Sequence, residues 1–214
     1  MRHLHERPTP ARVTSVTPDA AARSYDVDRD FELELVGRVR EGDAAAFDAV
    51  HARFNSRLFG FLARLTRNRD IAEDLLEETW LRFVANAGRL NADTRLGPWL
   101  FTVARNVHVS YCRSRALDDR NSDDALGLWP APSASPFEEA VGRELEQRIE
   151  ASLASLPVSC REVLLLVGVE GLRPAEAAVV CGVSAEALRQ RLKRARALLA
   201  ECLDRSADRT QEKA

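Results

Sequence analysis

Between Phe47 and Leu65 an apolar stripe runs through Phe47, Val50, Phe54, Leu58, Leu62 and Leu65, three or four residues apart at each step, while Asp48, Arg53, Arg57 and Arg64 fall largely elsewhere. That interval is the period of an α-helix with one buried stripe, since a half-buried strand would alternate every second residue. The same interval recurs at Phe31, Leu35 and Val39, at Ile71, Leu75, Leu76, Trp80, Phe83 and Val84, at Leu100, Val103, Val107 and Tyr111, and at Phe137, Val141, Leu145, Ile149 and Leu153. With no run of period two, the expectation is an all-α chain: two small helical domains joined by a flexible linker.

Local punctuation divides the chain further. Gly42-Asp43 stops the first helical segment and offers Asp43 as the N-cap of the next. Asp70 opens a third segment, the stretch Asn86 to Gly97 interrupts the pattern, and Pro98 suits the first turn of a fourth helix because its missing N–H has no partner there anyway. Residues 116–136 carry Asp118, Asp119, Asp123 and Asp124 against Arg120, then Pro130, Pro132 and Pro136 after Trp129, which makes a poor helix nucleus and a tether. The expected organisation is a disordered arm over 1–30, a helical domain over 31–115, the acidic and proline-rich linker over 116–136, a second helical domain over 137–203, and a polar tail over 204–214.

Composition removes several classes of function. The chain has 214 residues, is 45% hydrophobic and 30% charged, and contains no apolar run near the ~18 residues of a membrane span and no signal-peptide core, so a cytoplasmic protein without membrane insertion is expected. Its four cysteines, Cys112, Cys160, Cys181 and Cys202, stand 21 or more residues apart with no zinc-ligand spacing, and His108 with Cys112 is only a pair. No nucleophile, base and orienting group are recognisable together, so no catalytic residue, metal, cofactor or small-molecule substrate is expected. A net charge of −2 does not settle whether nucleic acid is a partner; local pattern must.

That pattern lies in PAEAAVVCGVSAEALRQRLKRAR. A short helix from Pro174 to Cys181 is halted by Gly182, Ser184 can cap the following helix, Ala178 is small where two helices would cross, and Val183, Leu188 and Leu192 supply apolar contacts beneath. The arrangement is that of a helix-turn-helix, whose second helix carries Arg189, Arg191, Lys193, Arg194 and Arg196, five cations in eight residues. Such a helix can reach base edges with its first turns and phosphates with its later ones.

Taken together, DFELELVGRVREGDAAAFDAV, DIAEDLLEETWLRFV, GPWLFTVARNV and LPVSCREVLLLVGVEGLRPAEAAVVCGVSAEALRQRLKRARALL resemble bacterial RNA polymerase sigma factors of the extracytoplasmic-function group. The resemblance covers residues 30–115 and 137–203 and matches the order of that family's region 2 and region 4. It implies a transcription initiation factor that binds core RNA polymerase, directs it to promoter DNA, promotes melting, is restrained by an anti-sigma factor, and performs no covalent chemistry.

Residue by residue, the resemblance assigns polymerase docking to the helix carrying Asp70, Glu73, Asp74, Leu75, Glu77 and Glu78, whose carboxylates against Arg69 give a local charge of −4. It assigns the melted −10 strand to Asn86, Arg89, Asn91, Asp93, Thr94, Arg95, Arg105 and Asn106, which offer polar edges and cations, with Trp99 read as core. The −35 duplex falls to Ser184, Glu186, Arg189, Gln190, Arg191, Lys193 and Arg194, where arginine suits guanine and Gln190 suits adenine. Val84 and Ala85 depart from the aromatic and basic residues many relatives carry, as do Val167-Gly168 from a charged pair and Ala177 from a larger aliphatic. The acidic linker Asp118 to Asp124 resembles a segment that threads the polymerase's nucleic-acid channels, and is otherwise a solubilising tether. Two rivals remain at this point: a stand-alone helix-turn-helix regulator, and a helical enzyme with a carboxylate metal site around Glu73 to Glu78, for which no ExxH pair exists.

Overall fold

The computed structural model describes residues 32–121 and 143–211, all of whose regular elements are helical. Helix α1 spans 32–40, α2 Ala44–Thr66, α3 Arg69–Asn86 and α4 Leu96–Asn121, with a single 3-10 turn, Ala87–Arg89, between α3 and α4. After the second described stretch begins, α5 spans Arg143–Ser155, α6 Val158–Leu164, α7 Pro174–Cys181 and α8 Ala185–Gln211, with a π-helical turn, Leu165–Val169, continuing α6.

The helix starts follow from side-chain chemistry. Asp43 Oδ1 accepts from the Ala45 N–H at 2.9 Å and the Ala46 N–H at 3.3 Å, so α2 begins where expected, and the Arg38 guanidinium beside it holds the Asp43 carboxyl below its ordinary pKa. For α3 the cap is Asn68 instead of Asp70: its side chain accepts from the Ile71 N–H at 3.1 Å. The turn from α2 to α3 is so tight that Arg67 adopts a left-handed conformation, φ 57°, and returns its N–H to Ala63 O at 2.8 Å.

Two boundaries differ from expectation. Helix α4 continues through Asn121, into the segment read as linker, and α8 continues through Gln211, into the segment read as tail. Neither stretch contains Gly or Pro, and a formed helix adds residues cheaply where a new one could not nucleate. The remainder of the acidic tether, Trp129, and the apolar positions Phe137 and Val141 lie outside the described residues, as does the N-terminal arm.

Helices α2, α3 and α4 enclose one apolar core, with Phe54, Leu58, Phe61, Leu62, Phe83, Leu96, Leu100 and Phe101 fully buried. Phe61 meets Phe101 edge-on with ring centroids 5.3 Å apart, and Phe47 stacks on Phe83 at 5.4 Å. The second core gathers Val163, Leu165, Leu166, Ala177, Leu188 and Ala195 between α6, α7 and α8. Ala177 is wholly enclosed there, so a small residue is enough at this crossing.

The two cores are pressed together, α4 against α7 and α2 against α6. Arg161, almost fully buried, clasps the junction: its Nε donates to Leu153 O at 2.9 Å, Nη2 to Ala154 O and Leu156 O, and Nη1 to Arg64 O at 2.9 Å. One guanidinium therefore satisfies carbonyls at the C-terminal ends of both α5 and α2, groups that have no partner within their own helices.

Candidate functional site

Three surfaces follow from this framework. The first is the outer face of α3, where Asp70, Glu73, Asp74 and Glu77 are exposed and Glu78 partly so. Two of these carboxylates are tied along the helix, Glu73 to Arg69 at 2.8 Å and Glu78 to Arg82 at 2.7 Å, which leaves the face acidic. Leu75 does not belong to it. At 7% exposure it packs inward, one turn from Thr79 and on the side of Ala72, because the apolar stripe of α3 turns it toward the α2–α4 core. Val84, read from the sequence as part of the apolar stripe, is instead 56% exposed, and with Leu81 at 59%, which the sequence reading passed over, it extends the same face beyond the acidic turns. Their signal was an apolar excess on a helix whose core-facing positions were already filled. Val84 also lines an open groove of about 450 Å³ together with Val39, Phe47 and Ala87.

The second surface is the segment from Asn86 to Asn106. Asn86, Arg89, Asn91, Asp93 and Asn106 are exposed, and Thr94 is half-buried. Asn86 donates its amide to Arg82 O at 2.8 Å. Trp99 is half-buried with its ring 5.8 Å from Phe83, at the edge of the core. Arg95 and Arg105 are not displayed to solvent like the others. Arg95 lies between Glu32 at 3.5 Å and Glu176 at 3.2 Å, and Arg105 Nε donates to Glu162 Oε1 at 2.6 Å. Both carboxylates Glu176 and Glu162 come from the second half of the chain, a relation that no local spacing encodes.

The third surface is the helix-turn-helix. Gly182 adopts φ 64° and ψ 37°, its N–H donates to Val179 O at 3.1 Å, and the Val183 N–H reaches back to Ala178 O at 3.0 Å, which closes α7 in a Schellman turn. Ser184 Oγ then accepts from the Ala187 N–H at 3.1 Å to start α8. Leu188 and Leu192 bury the inner stripe, so Glu186, Arg189, Gln190, Lys193, Arg194 and Arg196 stand exposed and Arg191 half-buried on the outer one. Ser184 is exposed at the tip of the turn. Glu186 collects its neighbours: it accepts from Gln190 Nε2 at 2.9 Å and Arg189 Nε at 3.1 Å, and those two donors hold its carboxyl below the usual carboxylate range.

Cysteines take no part in these surfaces. Cys181 sits in the core of the helix-turn-helix with Glu162 Oε2 3.7 Å from its sulfur, and burial, then the Glu162 charge, pushes its thiol up to about 12. A buried thiol at that value is protonated at neutral pH and is a poor nucleophile. Cys112 lies 3.5 Å from His108 and burial raises its thiol as well. Among the described residues, no group of three or more His, Cys, Asp or Glu side chains converges as a metal site would require, and no helix is long and apolar enough to cross a membrane.

Known proteins share this arrangement. Residues 50–117 match the family model for sigma-70 region 2, and residues 146–199 match that for sigma-70 region 4. The chain is 36% identical over 171 residues to an extracytoplasmic-function RNA polymerase sigma factor, EcfG, of Rhodopseudomonas palustris, covering 80% of this chain and 88% of that protein. It is 35% identical over 166 residues to the RNA polymerase sigma factor CarQ of Myxococcus xanthus, covering 78% and 94%. The sigma factor RpoE of Bartonella quintana, solved with the anti-sigma factor NepR, superposes with a TM-score of 0.64 at 27% identity, covering 74% of this chain and 96% of that one.

Proposed function

Because this chain belongs to the sigma-70 family of RNA polymerase sigma factors, in its extracytoplasmic-function group, we propose a division of labour among its three surfaces. The family consists of transcription initiation factors that direct the polymerase to particular promoters. In this reading residues 31–121 dock on core polymerase through Asp70, Glu73, Asp74, Glu77 and Glu78 and take the melted −10 strand along Asn86, Arg89, Asn91, Asp93, Thr94, Arg95, Arg105 and Asn106. Residues 143–211 read the −35 duplex with Ser184, Glu186, Arg189, Gln190, Arg191, Lys193 and Arg194. The protein works in the cytoplasm, catalyses nothing itself, and is restrained by an anti-sigma factor that covers these surfaces.

The observation that carries this reading is the presence in one chain of an exposed acidic helix and an exposed cationic recognition helix. A regulator that binds duplex DNA alone has no use for the first, and a solitary cationic helix supplies at most about five phosphate contacts, a salt slope of roughly −4. Run-off transcription with purified chain and core polymerase tests it: initiation at a defined start is expected with the wild type and a loss of at least about tenfold with Asp74→Lys, which puts a cation into a charge-steered contact. Tight duplex binding without polymerase, untouched by Asp74→Lys, favours the stand-alone regulator instead.

A further inference from the structure

Two helices of this chain carry outer stripes with the same spacing and opposite charge. On α3, Asp70, Asp74, Glu77, Leu81 and Val84 follow one another at steps of four, three, four and three residues, and all five are exposed. On α8, Arg189, Lys193, Arg196, Ala200 and Leu203 follow the same steps, the first four exposed and Leu203 half-buried. Steps of this kind average about 3.5 residues, the interval that keeps one seam of a helix turned toward a second helix over several turns.

The two stripes match layer by layer. Laid parallel, Asp70 stands opposite Arg189, Asp74 opposite Lys193, Glu77 opposite Arg196, Leu81 opposite Ala200 and Val84 opposite Leu203, so three layers pair opposite charges and two pair apolar side chains. Run antiparallel, Leu81 would meet the first turn of α8 beside Glu186, and Val84 would pass beyond the start of that helix at Ala185. Among the described residues Asp70, Asp74 and Glu77 enter no ion pair, nor do Lys193 and Arg196, while Arg189 pairs with Glu186 at the surface, where water and salt loosen the contact. Within one chain the stripes do not cover each other: α3 packs on α2 and α4, α8 packs on α5, α6 and α7, and both outer faces stand open to solvent.

We propose that α3 of one copy pairs in parallel with α8 of a second copy, so that the free protein associates head to tail with itself. The contact is heterologous, since α3 of the second copy remains open to a third, and it builds chains or rings in place of closed two-fold dimers. A net charge of −2 sets little overall repulsion against it. Three exposed ion pairs and two apolar layers make a small interface of the transient class, so half-association on the order of 100 μM at low salt is expected. The contact stands on its own geometry. Its consequence rests on the functional reading above, in which α3 docks on polymerase and α8 on duplex, because either partner then displaces the neighbouring copy.

Sedimentation of the full chain tests the pairing. In about 20 mM salt the weight-average mass of the wild type should rise with concentration, and in about 300 mM salt, where screening shortens to about 6 Å, it should return to that of the monomer. Two neutralised variants, one carrying Asp70→Asn, Asp74→Asn and Glu77→Gln and the other Arg189→Gln, Lys193→Gln and Arg196→Gln, should each stay monomeric alone. Mixed, they should form a complex of one chain of each and grow no further, because the intact α8 of the first meets the intact α3 of the second and both remaining stripes are dead ends. Leu81→Gln, which leaves every charge in place, should weaken wild-type association by about fivefold. A wild type that stays monomeric at low salt, a mixture that does not dimerise, or a Leu81→Gln chain that associates like the wild type overturns the pairing. Should either triple variant lose native helicity, the single changes Asp74→Asn and Lys193→Gln decide by the same sedimentation, with an expected loss of about threefold each. Run-off transcription by the wild type keeps the two readings apart: initiation by a chain that never self-associates rejects the pairing and leaves the sigma-factor reading standing, whereas self-association without initiation does the reverse.

Discussion

Each half of this molecule has two faces of opposite sign, and the halves are mirror images in that respect. The first shows carboxylates to solvent along α3 and presents arginines to its neighbour; the second shows arginines to solvent along α8 and presents glutamates to its neighbour. An Arg–Glu pair on the outer face of α8, Arg189 with Glu186, and one at the junction, Arg105 with Glu162, are the same chemistry in different surroundings. The exposed pair is screened by water and salt and can exchange partners freely. The junction pair, with its glutamate nearly buried, costs desolvation and is kept by the packing around it. Burial, more than residue type, sorts the charges into those displayed to solvent and those enclosed where the halves meet.

The sharpest way to break that contrast is to remove Arg161, a cation of the second half that reaches across the junction to Arg64 O of α2 while donating to Leu153 O and Ala154 O of α5. Arg161→Ala strands buried carbonyls at two helix ends, and a loss of about 3–5 kcal/mol in chemical denaturation is expected, the range for breaking a buried charged network. A loss below about 1 kcal/mol would mean that water replaces the guanidinium and that the junction is looser than its geometry suggests.

On the outer face of α8 the expected effects are smaller and of two kinds. Arg189→Ala, near the start of the recognition helix, should cost about 1–3 kcal/mol on the cognate −35 duplex and relax the preference at one base pair. Arg194→Ala, farther along, should weaken all sequences alike and reduce the salt slope by about 0.9. Filter binding or anisotropy across a salt series distinguishes them. The same slope change for both variants would remove the distinction between base reading and phosphate holding.

Much of this architecture was legible in the chain because its causes are local. The cap at Asp43, the glycine turn at Gly182, the serine cap at Ser184 and the inward stripe of Leu188 and Leu192 each arise from neighbours within a few residues. The resemblance assigned Leu75 to a docking surface although it also belongs to the apolar stripe of its helix, and the helix turns it toward the core. The junction was illegible for a different reason: Arg57 meets Glu170 across 113 residues and Arg105 meets Glu162 across 57, and periodicity holds no record of such pairings. The π-helical turn at Leu165–Val169 was likewise hidden, because an apolar run with a glycine fits several backbone paths.

Gly182→Ala probes the local side of that division alone. A Cβ at Gly182 meets nothing within 4 Å, so its whole cost is the left-handed backbone at φ 64°, about 1–2 kcal/mol. Thermal unfolding should show that loss, and duplex affinity measured below the transition should stay within about threefold of the wild type because the helix pair still forms. A larger loss of affinity than of stability would show that the turn itself, and not only the helices it joins, touches DNA.

Acidification is the mildest perturbation and the one that separates the two kinds of charge most finely. His108 is buried beside the junction, where burial first, then the positive charges of Arg105 on its own helix and Arg161 from α6, lower its pKa from the ordinary value near 6.5. Separation of the halves takes away the Arg161 charge, while Arg105, three residues earlier on the same helix, stays beside the ring; the open form therefore binds a proton more readily than the closed one. The contribution of neutral His108 to the closed form is therefore complete above about pH 6.5 and declines as pH falls from there toward the depressed value. Glu170 acts with the opposite sign: burial raises its pKa despite Arg57, so the closed form takes up that proton more readily and is favoured toward the carboxylate range. Between pH 7.5 and 5.5 protonation of His108 favours the open form, and binding of a dT20 strand by the full chain should tighten as the pH falls. His108→Gln should remove that part of the rise and leave what the strand itself contributes. A pH profile identical in the wild type and His108→Gln would place the proton-sensitive group elsewhere and leave the closed form held by the glutamates alone.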